Sequence, residues 1–283
     1  MSIPKIELIV TDLDGTFFGA HGTPLEENAH ALLRACARGI PIAIASGRLP
    51  CVCSRIAIDM GLDACHIIGL NGGHVLDKPF GETTAYHPFP GALADKILSI
   101  LKREGCAYNL YTARGVYTNQ PLDEKGAQRF RASFERSGCE VLIGPDAPAR
   151  AASQQVLKLL VKQTNGAEGY ERAKAAISAL PPVYLTTSKA DNFEVMQRGV
   201  GKAEAVAGLC GLLGASPLNV MAFGDFDNDK PMLNMCGLSV AMGNSLPDVR
   251  AAAKYVTLPN TQAGVAYAVN AALQGDLSPL ARS

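Results

Sequence analysis

Two aspartates, Asp12 and Asp14, close the apolar run of LIVTDLDGTFF (residues 8–18), and Gly15 and Thr16 follow at once. Four β-formers between Ile6 and Val10, with only Glu7 polar, predict a strand buried on both faces, as in a parallel sheet. The aspartates stand where that strand ends. In extended backbone, residues two apart share a side, so the carboxylates are expected to project together. Ligands of open parallel sheets bind beyond the carboxyl ends of the strands, and three further groups of polar residues belong there. They are Ser46, Gly47 and Arg48 in ASGR (45–48), Lys202 at a helix start, and GDFDND (224–229) with Asp225, Asn228 and Asp229.

Gathered round one crevice, Asp12, Asp14, Asp225 and Asp229 repel one another by roughly 3 to 4 kcal/mol per close pair at an effective dielectric of ~20. Raised pKa values or a hard divalent cation must offset that, and an oxygen-only set with room for water favours Mg²⁺. A calcium loop over GDFDND fails, because Lys230 stands at its glycine position and Cys236 at its glutamate position. No G-x-x-x-x-G-K-[ST], H-E-x-x-H or G-x-S-x-G occurs. A phosphate does suit the crevice. The Ser46 hydroxyl, the unhindered Gly47 N–H and the Lys202 charge each favour an anion. One carboxylate can attack phosphorus in line, forming an aspartyl phosphate, while its neighbour protonates the leaving alcohol and later activates water.

Strands and helices alternate around these residues. In GTPLEENAHALLRACARG, Thr23 reads as N-cap, Pro24 as first helical residue, Glu26 as the capping-box acid and Gly39 as terminator. A strand over 40–45, a helix over 51–60, a strand over 66–70 and the turn Asn71-Gly72-Gly73 follow. From about Gly81 the texture changes: helices over 92–103, 124–136 and 167–179, a hairpin over 107–118 bent at Arg114-Gly115, a strand over 156–162 and a strand pair over 183–196. The rhythm returns with a helix over 202–213, strands over 218–223 and 238–241, and short helices to Gln274. The expected fold is α/β: a doubly wound, mostly parallel Rossmann-like core formed by residues 1–80 and 190–283, with an α+β cap inserted at 81–189. The tail after Gly275 is expected to be loose.

The chain has 283 residues, 48% of them hydrophobic, enough for a sizeable core. Lys plus Arg and Asp plus Glu number 26 each, so no net field draws it to nucleic acid or an anionic membrane. MSIPKIELIV is too short in apolar residues for a signal peptide, no run approaches the ~18 of a membrane span, and a cytoplasmic location is expected. The eight cysteines form no C-x-x-C pair and read as buried free thiols.

Taken singly, D-L-D-G is a turn, Ser46-Gly47 a helix start and Lys202 a solvated side chain. Taken together and in this order, DLDGT (12–16), ASGR, Lys202 and GDFDND resemble the haloacid dehalogenase superfamily phosphatases, most closely the Cof-like subgroup with its large mixed α/β cap. The resemblance spans nearly the whole chain. It implies Asp12 as nucleophile and Mg²⁺ ligand, Asp14 as general acid/base and metal ligand through its backbone carbonyl, and Asp225 as the third protein ligand. Ser46, Gly47, Lys202, Asn228 and Asn71 would surround the phosphate; Asn228 and Asp229 would support metal waters and Lys202, with Arg48 nearby. One departure concerns the lysine loop: the family's G-V-S-K-G is GVGKA here, with Gly201 for serine and Ala203 for glycine. The implied activity is hydrolysis of a small phosphorylated metabolite such as a sugar phosphate, with no nucleic-acid or membrane partner and an open oligomeric state. A mutase would return the phosphoryl group to another hydroxyl, and a non-catalytic sugar-phosphate binder could dispense with Asp14.

Overall fold

The computed structural model describes residues 5–151, 154–163, 167–188 and 191–282. Its first sheet has nine strands, in spatial order Ala281–Arg282, Tyr255–Val256, Leu238–Ala241, Val220–Gly224, Leu8–Thr11, Ile42–Ala45, His66–Gly69, His74–Leu76 and Thr83–Tyr86. The six strands from Tyr255–Val256 to His66–Gly69 are mutually parallel, and each of the other three pairs antiparallel with its neighbour. Leu8–Thr11 lies near the middle and is buried throughout, as its apolar run predicts. Alternation divides its residues between two cores. Ile9 joins Ile42, Ile44 and Phe223 on one face, while Leu8 and Val10 join Ala43, Ala45 and Ala222 on the other. Helices Glu26–Cys36 and Gly264–Leu273 cover the first face, and Lys202–Leu213 and Lys230–Met235 the second.

The second sheet has six strands, in order Val183–Thr186, Asn192–Gln197, Lys158–Lys162, Ala107–Tyr111, Gly115–Thr118 and Glu140–Ile143. Leu159, Val161, Phe193 and Val195 face a core covered by helices Gly91–Arg103 and Ala167–Ser178. The alternate residues, among them Lys158, Leu160, Asn192 and Glu194, line a cavity shared with the first sheet's strand ends. The second sheet therefore roofs the crevice. Among the described residues, no helix is long and apolar enough to cross a membrane.

Several expectations need correction. The strand pair expected over 183–196 forms, Val183–Thr186 against Asn192–Gln197, and because it belongs to the second sheet the core boundary set at 189/190, itself outside the described residues, comes too early. Thr83–Tyr86, assigned to the cap, extends the first sheet. Each is held by a neighbour close in sequence, Thr83–Tyr86 by His74–Leu76 and Asn192–Gln197 by Val183–Thr186, so the sheets end a few residues away from where the change of texture was placed. Thr23 does not cap its helix: Phe18 and Pro24 form an isolated antiparallel bridge, and the helix begins at Glu26 with Leu25 at its N-cap. The tail is docked, since Leu277 and Leu280 are buried in the first core and Ala281–Arg282 adds an edge strand. Of the eight free cysteines, Cys36, Cys51 and Cys139 are only half-buried.

Candidate active site

Chain geometry after the first strand separates the two aspartates. Asp12 stays extended, with φ −68° and ψ 167°, and the chain then coils tightly over Leu13–Phe17. Gly15 makes this possible with φ +83°, and a Cβ there would lie 2.2 Å from Asp225 Oδ2. Asp12 turns inward and is only 5% exposed. Lys202 Nζ donates to Asp12 Oδ1 and to Asp229 Oδ1, both at 2.6 Å. Lys202 is the first residue of its helix, where the helix dipole disfavours a cation, and its side chain is 0% exposed. Burial opposes its charge as well, yet Asp12 and Asp229 outweigh that and hold the ammonium protonated well above the ordinary lysine range.

The carboxylates experience the reverse. Burial pushes the Asp12 pKa well up; Lys202 opposes this, and Asp229, Asp225 and Asp14 add to it. Asp225 is pushed up to about 7, first by burial and then by Asp229, against a lowering hydrogen bond from Thr16 Oγ1 at 2.7 Å. Asp229 is a brace. Its Oδ1 accepts from Lys202, and its Oδ2 accepts from the backbone N–H groups of Asp225 at 2.9 Å and Phe226 at 3.2 Å.

Asp12, Asp225 and Asp229 each offer an oxygen within 4.8 Å of the other two. Hydrogen bonds among the described residues engage Asp12 and Asp225 through Oδ1, which leaves an Oδ2 on each for another partner. An oxygen-only donor set carrying more negative charge than Lys202 neutralises fits a hard divalent cation. The Asp14 carboxylate stands apart from this group. It receives a two-pronged contact from Arg48, Nε to Oδ2 at 2.7 Å and Nη2 to Oδ1 at 2.6 Å. The expected pairing of the two aspartates thus becomes a division: Asp12 faces the buried lysine, and Asp14 the arginine at the cavity mouth.

Ser46, Gly47 and Arg48 follow the strand Ile42–Ala45, and Ser46 is buried. The neighbouring loop is tied to this turn by a hydrogen bond from Asn71 N to Ser46 O at 2.9 Å. Asn71 holds a left-handed backbone, φ 54° and ψ 32°, and Gly72 packs so closely on the lysine loop that a Cβ would lie 2.5 Å from Gly201 O. Asn71 Oδ1 accepts from Asn228 Nδ2 at 3.3 Å. Asp12, Asp14, Ser46, Gly47, Arg48, Asn228 and Asp229 line a common cavity of about 360 Å³. Asn71 and Lys202 line an adjoining one of about 290 Å³, which Asn228 also borders.

Every residue singled out from the sequence lies in this neighbourhood, but three contributors escaped notice. Thr16 was visible within DLDGT yet had no assigned partner. Lys158 and Glu194 sit in strands whose composition reads as structural. Their signal was a charged residue on the alternating face of an otherwise apolar strand, Lys158 in VLKLLVK and Glu194 in NFEVM.

The chain matches the model of the haloacid dehalogenase-like hydrolases over residues 9–269. It is 30% identical to phosphatase YwpJ of Bacillus subtilis, over 93% of this chain and 98% of that one. It is 27% identical to the B. subtilis 5-amino-6-(5-phospho-D-ribitylamino)uracil phosphatase YcsE, over 93% and 94% of the two chains. A haloacid dehalogenase-like hydrolase of B. subtilis superposes with a TM-score of 0.82 at 26% identity, covering 94% of this chain and 99% of that one. With an acidic cluster and a cavity at the strand ends of such a fold, this chain belongs to the haloacid dehalogenase-like hydrolases, in their Cof-like branch, and is a phosphoric monoester hydrolase.

Proposed function

We propose that the protein is a Mg²⁺-dependent phosphatase that hydrolyses a small phosphate monoester, a sugar phosphate or similar metabolite, through an aspartyl phosphate on Asp12. One observation carries the reading: the buried Asp12 carboxylate is bonded through Oδ1 to Lys202, while its second oxygen is left for another partner. Asp12, Asp225 and the Asp14 backbone carbonyl would hold Mg²⁺, which supplies positive charge to the phosphoryl oxygens. Ser46, the Gly47 N–H, Asn228 and Lys202 donate to the remaining oxygens and orient phosphorus for in-line attack by Asp12, while Asn71, whose nitrogen serves Glu194, orients Asn228 through its oxygen.

The Asp12–phosphorus bond forms as the ester P–O bond breaks, and Asp14 gives its proton to the departing alkoxide. Asp14 then takes a proton from water as that water attacks phosphorus, and the Asp12–phosphorus bond breaks to release phosphate. Arg48 holds the Asp14 carboxylate at the cavity mouth between these transfers. The roof formed by the second sheet limits water during the first transfer and faces the leaving group. A panel of phosphorylated metabolites assayed for phosphate release with and without Mg²⁺ tests the proposal. Stoichiometric, Mg²⁺-dependent release with no isomer formed is expected; isomer without phosphate would make the protein a mutase, and binding without turnover a sensor.

A further inference from the structure

The second sheet carries a buried ion pair that the chemistry above does not use. Lys158 Nζ donates to Glu194 Oε1 at 2.8 Å, with the two side chains 1% and 2% exposed. They are diagonal neighbours on one face of the sheet, because Glu194 stands opposite Leu160, two residues along from Lys158. Ser188 Oγ also donates to Glu194 Oε1, at 2.9 Å. The remaining bonds of the pair leave the second sheet altogether. Lys158 Nζ donates to the carbonyl of Gly47 at 2.8 Å, and Glu194 Oε2 accepts from Asn71 Nδ2 at 2.5 Å.

These contacts converge on one small residue. A Cβ at Gly47 would meet Lys158 Nζ at 3.0 Å, Asn71 Oδ1 at 3.2 Å and Glu194 Oε1 at 3.6 Å. Gly47 and Asn228 belong to the proposed phosphate-binding set, and Asn71 ties Asn228 to the pair. Ionised groups removed from water are costly unless fully bonded, so this pair strongly favours the arrangement in which the roof's charges find their partners on the floor. An Asn71 side chain bonded to Glu194 through its nitrogen must present its oxygen towards Asn228, which fixes the amide's orientation.

We propose that Lys158 and Glu194 are positioning residues: the roof sets the Ser46–Gly47 turn and, through the Asn71 amide, the Asn228 side chain in their phosphate-binding orientation, so the phosphate site is complete only while this contact is made. The inference rests on the proposed phosphate-binding role of Gly47 and Asn228. The pair acts on the phosphoryl group, common to all substrates, and through other residues. It therefore differs from a contact that selects the leaving group.

The test compares wild type with Lys158→Met, Glu194→Gln and the double variant Lys158→Met/Glu194→Gln. Either single variant can leave a buried group without its partner and fold poorly; the double variant buries no unpaired charge and keeps the experiment decisive. The readouts are kcat and KM for p-nitrophenyl phosphate, whose leaving group makes few polar contacts, and the inhibition constant of inorganic phosphate, which has no leaving group. In folded double variant we expect the phosphate inhibition constant to rise at least tenfold and kcat/KM to fall by a similar or larger factor. Each folded single variant should be about as impaired as the double one, because the residues work as a unit. An unchanged phosphate inhibition constant in folded double variant overturns the proposal. A loss confined to substrates with polar leaving groups also overturns it, and makes the pair a specificity contact. Wild type that releases phosphate from no ester would instead defeat the functional reading itself.

Discussion

Replacing Lys202 with Met tests the electrostatic design of the site. The substitution keeps most of the side-chain volume and removes the buried cation between Asp12 and Asp229, each bonded to it at 2.6 Å. With charge centres ~4 Å apart and an effective dielectric of ~20, each attraction amounts to about 4 kcal/mol. Relief from burying the ammonium cancels much of that sum, and breaking a buried ion pair in this way costs about 3 to 5 kcal/mol net. At roughly 2 to 4 °C per kcal/mol for a chain of this size, the melting temperature should fall by about 10 °C.

The sign of the pH dependence follows from Asp12. Its folded pKa is already raised, and losing the lowering influence of Lys202 raises it further. A carboxyl with a raised folded pKa takes up protons on folding, so its stabilisation is complete below its unfolded value of about 3.9 and is lost as pH rises through the folded value. The gap in melting temperature between wild type and variant should therefore be smallest near pH 5 and largest near pH 8. Scanning calorimetry in the presence of chelator measures it. A gap that stays constant, or narrows as pH rises, would mean that Lys202 does not hold down the Asp12 pKa.

Asp12→Asn should abolish phosphate release while circular dichroism and melting temperature show a retained fold; turnover at the wild-type rate would remove Asp12 as nucleophile. Protons compete with a cation for Asp225, which is pushed up to about 7, so Mg²⁺ affinity by titration calorimetry should rise about tenfold per pH unit below that value and level off above it. A flat profile would exclude Asp225 as a ligand. Gly15→Ala must strain a backbone at φ +83° and push aside Asp225, so it should weaken Mg²⁺ binding more than tenfold by the same assay. Gly201→Ser places a hydroxyl at an extended N-cap, φ −163°, three residues before Glu204, whose flexible carboxylate must swing aside because the new Cβ would lie 2.5 Å from its Oε2. Completing that capping box should add a few tenths of a kcal/mol, or about 1 °C, seen as a small rise in melting temperature.

The fold was legible where local pattern and tertiary environment agree. Leu8–Thr11, Ile42–Ala45 and Val220–Gly224 are apolar runs because both their faces are covered, and the polar residues after them lie at the ligand-binding edge of the sheet for the same reason. Legibility failed at the boundary between the sheets. Thr83–Tyr86 is a hairpin partner of His74–Leu76 that its four residues do not announce, the expected strand pair over 183–196 carries the second sheet past the boundary set at 190, and Leu277 and Leu280 are too few apolar residues to announce a docked tail. In the site, carboxylate identity was legible but partnership was not. The i, i+2 spacing of Asp12 and Asp14 suggested a shared environment, and the coil over Leu13–Phe17 instead directs one carboxylate to Lys202 and the other to Arg48. The Lys158–Glu194 pair depends on the register between two strands, which composition does not encode.

The proposed chemistry turns on Asp12 carrying the phosphoryl group. Borohydride added during steady turnover reduces an acyl phosphate to the alcohol, and peptide mass spectrometry locates the reduced residue. Homoserine is expected at position 12, dependent on substrate and absent from the Asp12→Asn protein. Undiminished turnover with residue 12 unmodified, or reduction at a different carboxylate, would contradict it.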